Sequence, residues 1–421
     1  MIRKLRERYG NYYFVVLMGS ATVISGGINY LYHPLMVRFL TESDFALFES
    51  LMSLLNVVGV VFSGFALYIT QQLSIHKDDN SYREGLVYRW TRRLAYGSGA
   101  MIMVFVLCSP WIASYLHLDS IGPVILVALS LLAGGVGIVY GALLQSQHQF
   151  EYLSITTVVS AILRVFLGVV LVYYGAGLYG AVIGVVLSGL ISVAISLWMT
   201  QHLQLKSTNE HYDEIIDSLK THRYQIVLFC MAMFAILGIT NLDIMMIQHH
   251  FKDQSATYIA LSVVAKFLVF LGTALESVYY PQLSSQPLTK ITIVPFRNYM
   301  ILQLFLIGCA IVGSGLVGSY ILELFKPGLG QEIFLFERLL VIFGMVLLYT
   351  TLLKLFVAWK KITLVWISIV LITGLLIVLQ FWGGRSVDDF VMLFMIGMII
   401  TLVVMGVSIL SLVYRTYERS R

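Results

Sequence analysis

Long apolar runs, separated by short polar turns, follow one another from the start of the chain to its end. A bilayer core is about 30 Å thick and a helix crosses it with about 20 residues, so each run is long enough to span a membrane. Backbone polar groups in lipid must be hydrogen-bonded internally, which leaves helices or closed β-barrels. Barrel strands alternate polar and apolar residues over about ten positions, and these runs do not alternate. The sequence therefore predicts an all-α polytopic membrane protein.

The number of runs predicts twelve transmembrane helices. Composition agrees, because 59% of the 421 residues are hydrophobic and 12% are charged, whereas soluble domains carry about 25% charged residues. The first run, from about Tyr12 to Leu40, is too long for the core of a cleavable signal peptide, so we interpret it as the first span. The predicted spans are residues 12–38, 45–73, 94–116, 121–145, 154–174, 178–201, 224–250, 255–280, 298–325, 333–356, 362–382 and 390–414.

The distribution of Lys and Arg among the loops indicates an orientation. If both termini are cytoplasmic, 20 of the 27 Lys and Arg residues lie on the cytoplasmic side and five on the outer side, while Arg164 and Lys266 lie within spans. An excess of Lys and Arg is typical of cytoplasmic loops. The asymmetry supports twelve spans with both ends in the cytoplasm.

The second half of the chain is similar to the first when the sequence is shifted by about half its length. A shift of 210 residues places Ala46 on Ala256, residues 72–74 on residues 282–284, His33 on Asp243, and Asn56 on Lys266. Two six-helix halves of equal orientation are parallel repeats, and such transporters bind substrate near the midplane between the halves. We expect an N-terminal lobe of residues 1–201 and a C-terminal lobe of residues 224–421, with these polar positions facing a central cleft.

The connector between the expected lobes is residues 202–223. Its second part places four apolar side chains at helical spacing with charges between them, namely Tyr212, Ile215, Ile216 and Leu219. This pattern favours a short amphipathic helix on the cytoplasmic surface. The alternative is a solvated linker.

Asp243 and Lys266 are the two charges that lie deepest in predicted spans of the second half. A charge at that depth costs roughly 2.5 kcal/mol or more and is rarely retained without a function or a partner. Asp243 is a candidate proton or sodium site, and the alternative is a structural ion pair with Arg164 or Lys266. Lys266 is a candidate contact for a phosphate group, and its alternative is pairing with Asp243.

Other polar residues in or near the spans are weaker candidates. Arg164, in the fifth span, is a second candidate phosphate contact unless its long side chain reaches the cytoplasmic headgroups. His33, beside Pro34, could line the cleft or be a hydrogen-bonded core histidine. We expect Glu49 and Glu276 to be solvated vestibule residues near the outer and the cytoplasmic mouth respectively. Arg38 is expected to contact outer headgroups.

Motifs of soluble enzymes are missing from the sequence. It has no phosphate-binding glycine loop with Lys-Ser/Thr and no His/Glu metal motif. The loops are also too short to hold the acidic clusters expected of a membrane glycosyltransferase or polymerase. We predict a protein that is not an enzyme, needs no cofactor or metal, and does not bind nucleic acid.

Three segments of the chain resemble a known superfamily. They are MVRFLTESDFALFESLMSLLNVVGVVFSGF at residues 36–65, GALLQSQHQFEYLSITTVVSAILRVFLGVVLVYYGAGLYGAVIG at residues 141–184, and NLDIMMIQHHFKDQSATYIAL at residues 241–261 with YYPQLS at residues 279–284. These segments are similar to the first hairpin, the approach to the fifth span with its Gly-rich turn, and the seventh and eighth spans of the multidrug/oligosaccharidyl-lipid/polysaccharide (MOP) exporter superfamily. Within it they resemble the bacterial polysaccharide flippases of the Wzx type.

The resemblance implies a V-shaped carrier of two six-helix lobes in the bacterial cytoplasmic membrane. Its cationic central cavity would hold a polyprenyl-diphosphate-linked oligosaccharide and carry the headgroup from the cytoplasmic to the outer leaflet while the lipid tail stays in the bilayer. Lys266 and Arg164 would contact the phosphates, Asn56 and His33 would line the cavity, and Asp243 would couple transport to H⁺ or Na⁺. The expected partners are the lipid-linked substrate, bilayer lipids and other membrane proteins of glycan assembly. The alternatives are a cation-coupled multidrug exporter of the same superfamily and a membrane enzyme of glycan assembly.

Overall fold

The protein is helical throughout the part of the chain that the computed structural model describes, which is residues 2–76, 79–147, 149–201, 212–284, 290–382 and 384–418. The α-helices are α1 (Ile2–Phe39), α2 (Glu42–Ile75), α3 (Asn80–Leu116), α4 (Gly122–Ser146), α5 (Phe150–Leu171), α6 (Gly177–Thr200), α7 (Tyr212–His250), α8 (Lys252–Ser284), α9 (Lys290–Phe325), α10 (Ile333–Ala358), α11 (Ile362–Trp382) and α12 (Val387–Glu418). A π-helical turn, Val172–Ala176, joins α5 to α6, and a 3-10 turn, Leu329–Glu332, precedes α10. No strand occurs in these ranges. The prediction of an all-α membrane fold is confirmed for them.

The described residues contain 10 helical segments that are long and apolar enough to cross a membrane. One of them, Phe150–Thr200, includes both α5 and α6, and the other nine correspond to α2–α4 and α7–α12. Helix α1 covers the first predicted span. The order of the helices therefore follows the predicted order of spans.

The chain divides into two compact units, Met1–Cys230 and Met231–Arg421. In the first unit α5 packs against α1 and α6, while α4 packs against α2, α3 and α6. In the second unit α10 packs against α8, α9, α11 and α12. Each unit thus has a central helix that is buried by several neighbours.

The predicted connector lies partly outside the described residues, which omit 202–211. From Tyr212 the chain is already part of α7, so residues 212–223 are the first turns of that long helix. The predicted lobe limits at residues 201 and 224 stay a prediction.

Local sequence signals explain how the helical hairpins begin and turn. Thr41 caps α2, because its hydroxyl accepts a hydrogen bond from the backbone N–H of Asp44 at 3.1 Å. The turn from α5 to α6 needs positive φ angles at Gly175 (89°) and Gly177 (49°), which glycine adopts at low cost. In the second unit α7 and α8 are separated by Phe251 alone. This tight antiparallel hairpin sets the residues before Phe251 against those after it.

Candidate functional site

The α7–α8 hairpin brings Asp243 and Lys266 together. The ammonium Nζ of Lys266 donates a hydrogen bond to Oδ1 of Asp243 at 2.9 Å. The other carboxylate oxygen, Oδ2, accepts from Ser262 Oγ at 2.9 Å and from the Tyr258 hydroxyl at 3.3 Å. Tyr258, Ser262 and Lys266 stand four residues apart on α8 and therefore share one face of the helix. The carboxylate has a donor on each oxygen.

The two partners of this ion pair differ in exposure. The Asp243 side chain is 1% exposed, whereas that of Lys266 is 15% exposed. The Lys266 ammonium also lies 5.1 Å from the centre of the Phe343 ring on α10, within the range of a cation–π interaction. A ligand can therefore reach the lysine side chain more readily than the carboxylate. The sequence left open whether Asp243 and Lys266 are ligand contacts or form a structural ion pair with each other. The structure contains that ion pair.

A second polar pair joins α1 to α2 in the first unit. Nδ1 of His33 lies 2.5 Å from Oε1 of Glu49, and the Glu49 side chain is 4% exposed. The expectation of a solvated Glu49 is wrong, because the glutamate is buried and His33 supplies its partner. That expectation came from the position of Glu49 near the start of its predicted span. Such a position does not reveal that the preceding helix supplies a hydrogen-bonding partner. His33 itself is hydrogen-bonded, which was one of its two interpretations.

Glu276 pairs with a lysine that the sequence analysis did not select. Nζ of Lys354 on α10 lies 2.8 Å from Oε1 of Glu276 on α8, and their side chains are 20% and 15% exposed. Glu276 is therefore mostly buried, in contrast to the solvated position expected for it. Lys354 lies four residues before the end of α10, and it is one of the 20 Lys and Arg residues predicted to lie on the cytoplasmic side. The signal that could have found it is its place between Leu353 and Leu355 in an otherwise apolar segment.

A buried amide lies on α9, opposite the same section of α10. Gln303 is fully buried, and its Nε2 donates a hydrogen bond to Thr351 Oγ1 at 2.7 Å. Its Oε1 has no hydrogen-bond partner among the described residues. An unsatisfied buried oxygen of this kind is usually met by water. Together with the ion pair of Lys354, it makes the interface of α8, α9 and α10 unusually polar for a membrane-embedded core.

Arg164 is the one cation in the interior of α5. It is partly buried near the Tyr32 hydroxyl, and that hydroxyl donates a hydrogen bond to the backbone carbonyl of Ala181 at 3.0 Å. The Nε of Arg164 is buried and has no hydrogen-bond partner in the described part of the chain. A buried guanidinium N–H without an acceptor is costly, so this group is well suited to receive an anionic oxygen.

The remaining predicted residues occupy surface positions. Asn56 is exposed on α2, and Arg38 is exposed in the last turn of α1. Among the described residues, no three His, Cys, Asp or Glu side chains form a group that could hold a metal ion. The candidate site in each unit is therefore polar and charged but carries no metal-binding cluster in these ranges.

Comparisons with known proteins agree with this architecture. Residues 35–287 match the model of a family described as "Polysaccharide biosynthesis protein". No curated protein matches the chain significantly. Three similar solved structures have the same fold at low sequence identity, which is evidence for the fold alone.

The first of these structures is the lipid II flippase MurJ in an inward closed conformation, with a TM-score of 0.70, 14% identity, and coverage of 94% of this chain and 87% of MurJ. The second is an inward-facing multidrug resistance MATE family transporter of the MOP superfamily, with a TM-score of 0.67, 12% identity, and coverage of 96% and 99%. The third is the Vibrio cholerae MATE transporter VcmN in its bent form, with a TM-score of 0.61, 12% identity, and coverage of 94% and 97%.

Proposed function

We propose a lipid-flipping function for this chain, which belongs to the polysaccharide biosynthesis protein family and has the fold of MOP superfamily transporters. The predicted resemblance to that superfamily is confirmed. In the proposal the protein moves a polyprenyl-diphosphate-linked oligosaccharide from the cytoplasmic to the outer leaflet of the bacterial cytoplasmic membrane by alternating access. Both termini are proposed to be cytoplasmic, and the lipid tail stays in the bilayer during transfer.

The observation that carries the proposal is a partly exposed lysine side chain within a membrane-spanning helix. Lys266 keeps 15% of its side chain exposed while its carboxylate partner is buried. A strongly anionic headgroup such as a diphosphate is the ligand class that such a cation favours. Arg164, whose Nε has no acceptor in the described residues, is proposed as the second phosphate contact. Asn56 and His33 are proposed to contact the remainder of the headgroup.

Asp243 is proposed to link transport to an ion gradient. When a phosphate oxygen takes the Lys266 ammonium, the Asp243 carboxylate keeps only the hydrogen bonds from Ser262 and Tyr258. A buried carboxylate with no countercharge is strongly disfavoured. We propose that H⁺ or Na⁺ then occupies the place of the ammonium, so that substrate binding and ion binding are coupled through one carboxylate.

Transport by the reconstituted protein tests the phosphate contact. A fluorescent polyprenyl-diphosphate-linked oligosaccharide is placed in liposomes with the full chain, and the rate at which its glycan reaches the opposite leaflet is measured. Loss of a charge-assisted hydrogen bond of about 1.5–3 kcal/mol should slow transport by Lys266→Met about tenfold or more. Lys266→Arg, which keeps the cation, should retain more activity than Lys266→Met.

The matched control is Lys252→Met, which removes an exposed lysine from the first turn of the same helix. It should transport at the wild-type rate. Equal rates for Lys266→Met, Lys252→Met and the wild type would refute the phosphate role of Lys266. Wild-type protein that does not move the glycan lipid would refute the flippase function itself.

A second candidate function is cation-coupled export of drugs. It is favoured by the likeness to the MATE family transporter, which spans 99% of that chain at a TM-score of 0.67. Expression in a drug-sensitive host should raise resistance to cationic compounds if this function is correct. Proton- or sodium-driven efflux of a cationic dye from the same liposomes gives a direct measurement. Copurification with membrane proteins of glycan assembly would instead favour the flippase.

A further inference from the structure

Arginine and aromatic side chains form an exposed stripe on α3, on the first unit. Tyr88, Arg92 and Tyr96 stand four residues apart and are all exposed, with Tyr96 66% exposed. Arg93 follows on the neighbouring face of the helix. Residues 94–116, which come next, contain no Asp, Glu, Lys or Arg. The two arginines therefore lie directly before the apolar part of α3 begins, at the depth of lipid headgroups.

Aromatic rings hold both guanidinium groups in place. Nε of Arg92 donates a hydrogen bond to the Tyr96 hydroxyl at 3.2 Å, and its guanidinium carbon lies 5.5 Å from the centre of the Tyr96 ring. The guanidinium carbon of Arg93 lies 5.7 Å from the centre of the Trp90 ring. Trp90 is 3% exposed and is itself fixed by Phe65 and Tyr68, whose rings lie 5.3 and 5.8 Å away. Fixing an arginine in advance lowers the entropy lost when it binds a ligand.

The two arginines have no acidic partner in the described part of the chain. The ion pairs found there involve neither Arg92 nor Arg93. The hydrogen bond from Nε of Arg92 goes to the neutral phenol of Tyr96 and supplies no negative charge. Two adjacent positive charges at the surface are thus available to a negatively charged ligand.

We propose that Arg92 and Arg93 form a binding site for the phosphate of an anionic phospholipid, such as phosphatidylglycerol. The planar guanidinium groups match phosphate oxygens in a bidentate manner. The exposed rings of Tyr88 and Tyr96 lie beside the glycerol and upper acyl chain, where amphipathic aromatic side chains are favoured. The bound lipid is a structural partner of the first unit and is distinct from the transported glycan lipid, so the site exists whether or not the flippase function is correct.

Native mass spectrometry of the purified full chain tests the site. The protein is titrated with phosphatidylglycerol and, separately, with phosphatidylcholine, and the population with one bound lipid is measured. The wild type should bind phosphatidylglycerol preferentially. Because each basic residue near an anionic lipid contributes about 1 kcal/mol, the double variant Arg92→Gln/Arg93→Gln should bind phosphatidylglycerol about 30-fold more weakly.

A control of equal charge change is Lys220→Gln/Arg223→Gln, which removes two exposed cations from the first turns of α7. It should bind phosphatidylglycerol like the wild type. The variant Arg92→Lys/Arg93→Lys keeps the charge but loses the planar fork, and it should bind clearly more weakly than the wild type. Since these side chains lie at the surface, gel filtration should show all variants folded.

Three results would overturn the proposal. The first is wild-type binding that does not distinguish phosphatidylglycerol from phosphatidylcholine. The second is equal loss of binding in the arginine and the control variants, which would indicate a diffuse electrostatic attraction. The third is unchanged binding in the lysine variant, which would mean that charge alone, without a shaped site, is responsible.

Discussion

Removing Lys266 should expose how strongly the second unit depends on its buried ion pair. In Lys266→Met the Asp243 carboxylate stays 1% exposed and loses its countercharge, while Ser262 and Tyr258 still donate to it. Removing one partner of a buried pair costs about 3–5 kcal/mol. The two remaining donors place the expected loss of stability at the lower end, about 3 kcal/mol.

Replacing both partners should cost much less than the sum of the single replacements. Asp243→Asn alone removes a charged acceptor and should cost about 1–2 kcal/mol, because Ser262 can still donate to the amide oxygen. In Asp243→Asn/Lys266→Met no charge is left in the site, and uncharged replacements of a buried pair are often nearly neutral. Because the single losses sum to about 4–5 kcal/mol and the double variant is expected to be nearly neutral, the double-mutant cycle should give a coupling energy of about 4–5 kcal/mol.

Thermal unfolding followed by size-exclusion chromatography provides the assay. For a unit of this size about 1 kcal/mol corresponds to about 2–4 °C, so Lys266→Met should lower Tm by about 6–12 °C. The exposed control Lys252→Met should leave Tm unchanged. Additive effects of Lys266→Met and Asp243→Asn would refute the reasoning, because they would mean that the two side chains do not interact in the folded protein.

Two further substitutions test other features of the units. Lys354→Met should lower Tm by about 5–10 °C, because Glu276 is left mostly buried without its partner. Adding Glu276→Gln should restore most of the lost Tm. If Tm is not restored, the two side chains do not form the ion pair. Gly184→Ala should destabilise the first unit by about 1–3 kcal/mol, since the added Cβ would lie 2.6 Å from the Cα of Gly168 on α5. The control is Gly97→Ala, where no atom lies within 4 Å of the added Cβ, and it should change Tm little. Equal losses of stability in the two variants would contradict the close approach of α5 and α6.

The sequence predicted the apolar centres of the helices better than their ends. The eleventh predicted span, 362–382, coincides with α11, and the tenth, 333–356, ends two residues before α10 does. The third, predicted from residue 94, begins at Asn80 in the structure. Hydropathy detects the part of a helix that lipid surrounds, whereas helical hydrogen bonding continues into the polar residues that precede it. This is why the arginine stripe on α3 lies on a helix and not in a loop.

The sequence allowed an ion pair to be predicted only where the two helices that carry it are joined by a very short turn. Asp243 and Lys266 lie on consecutive helices separated by one residue, so their contact could be named as an alternative from the sequence. Lys354 contacts Glu276 across 78 positions of the chain, and no periodicity links α8 to α10. Buried charges need partners, but the identity of a distant partner depends on helix packing that composition does not encode.

The predicted internal repeat does not extend to the polar pairs of the two hairpins. His33 and Asp243 coincide under the 210-residue shift, and each lies near the end of the first helix of a hairpin. Their partners do not coincide, because Glu49 follows His33 by 16 residues and Lys266 follows Asp243 by 23. The acid stands on the second helix in one hairpin and on the first helix in the other. The two hairpins therefore have opposite polarity, and of these two pairs only that of the second unit contains a permanent cation. The ligand-binding role proposed for Lys266 consequently has no equivalent at Asn56, the position that coincides with it.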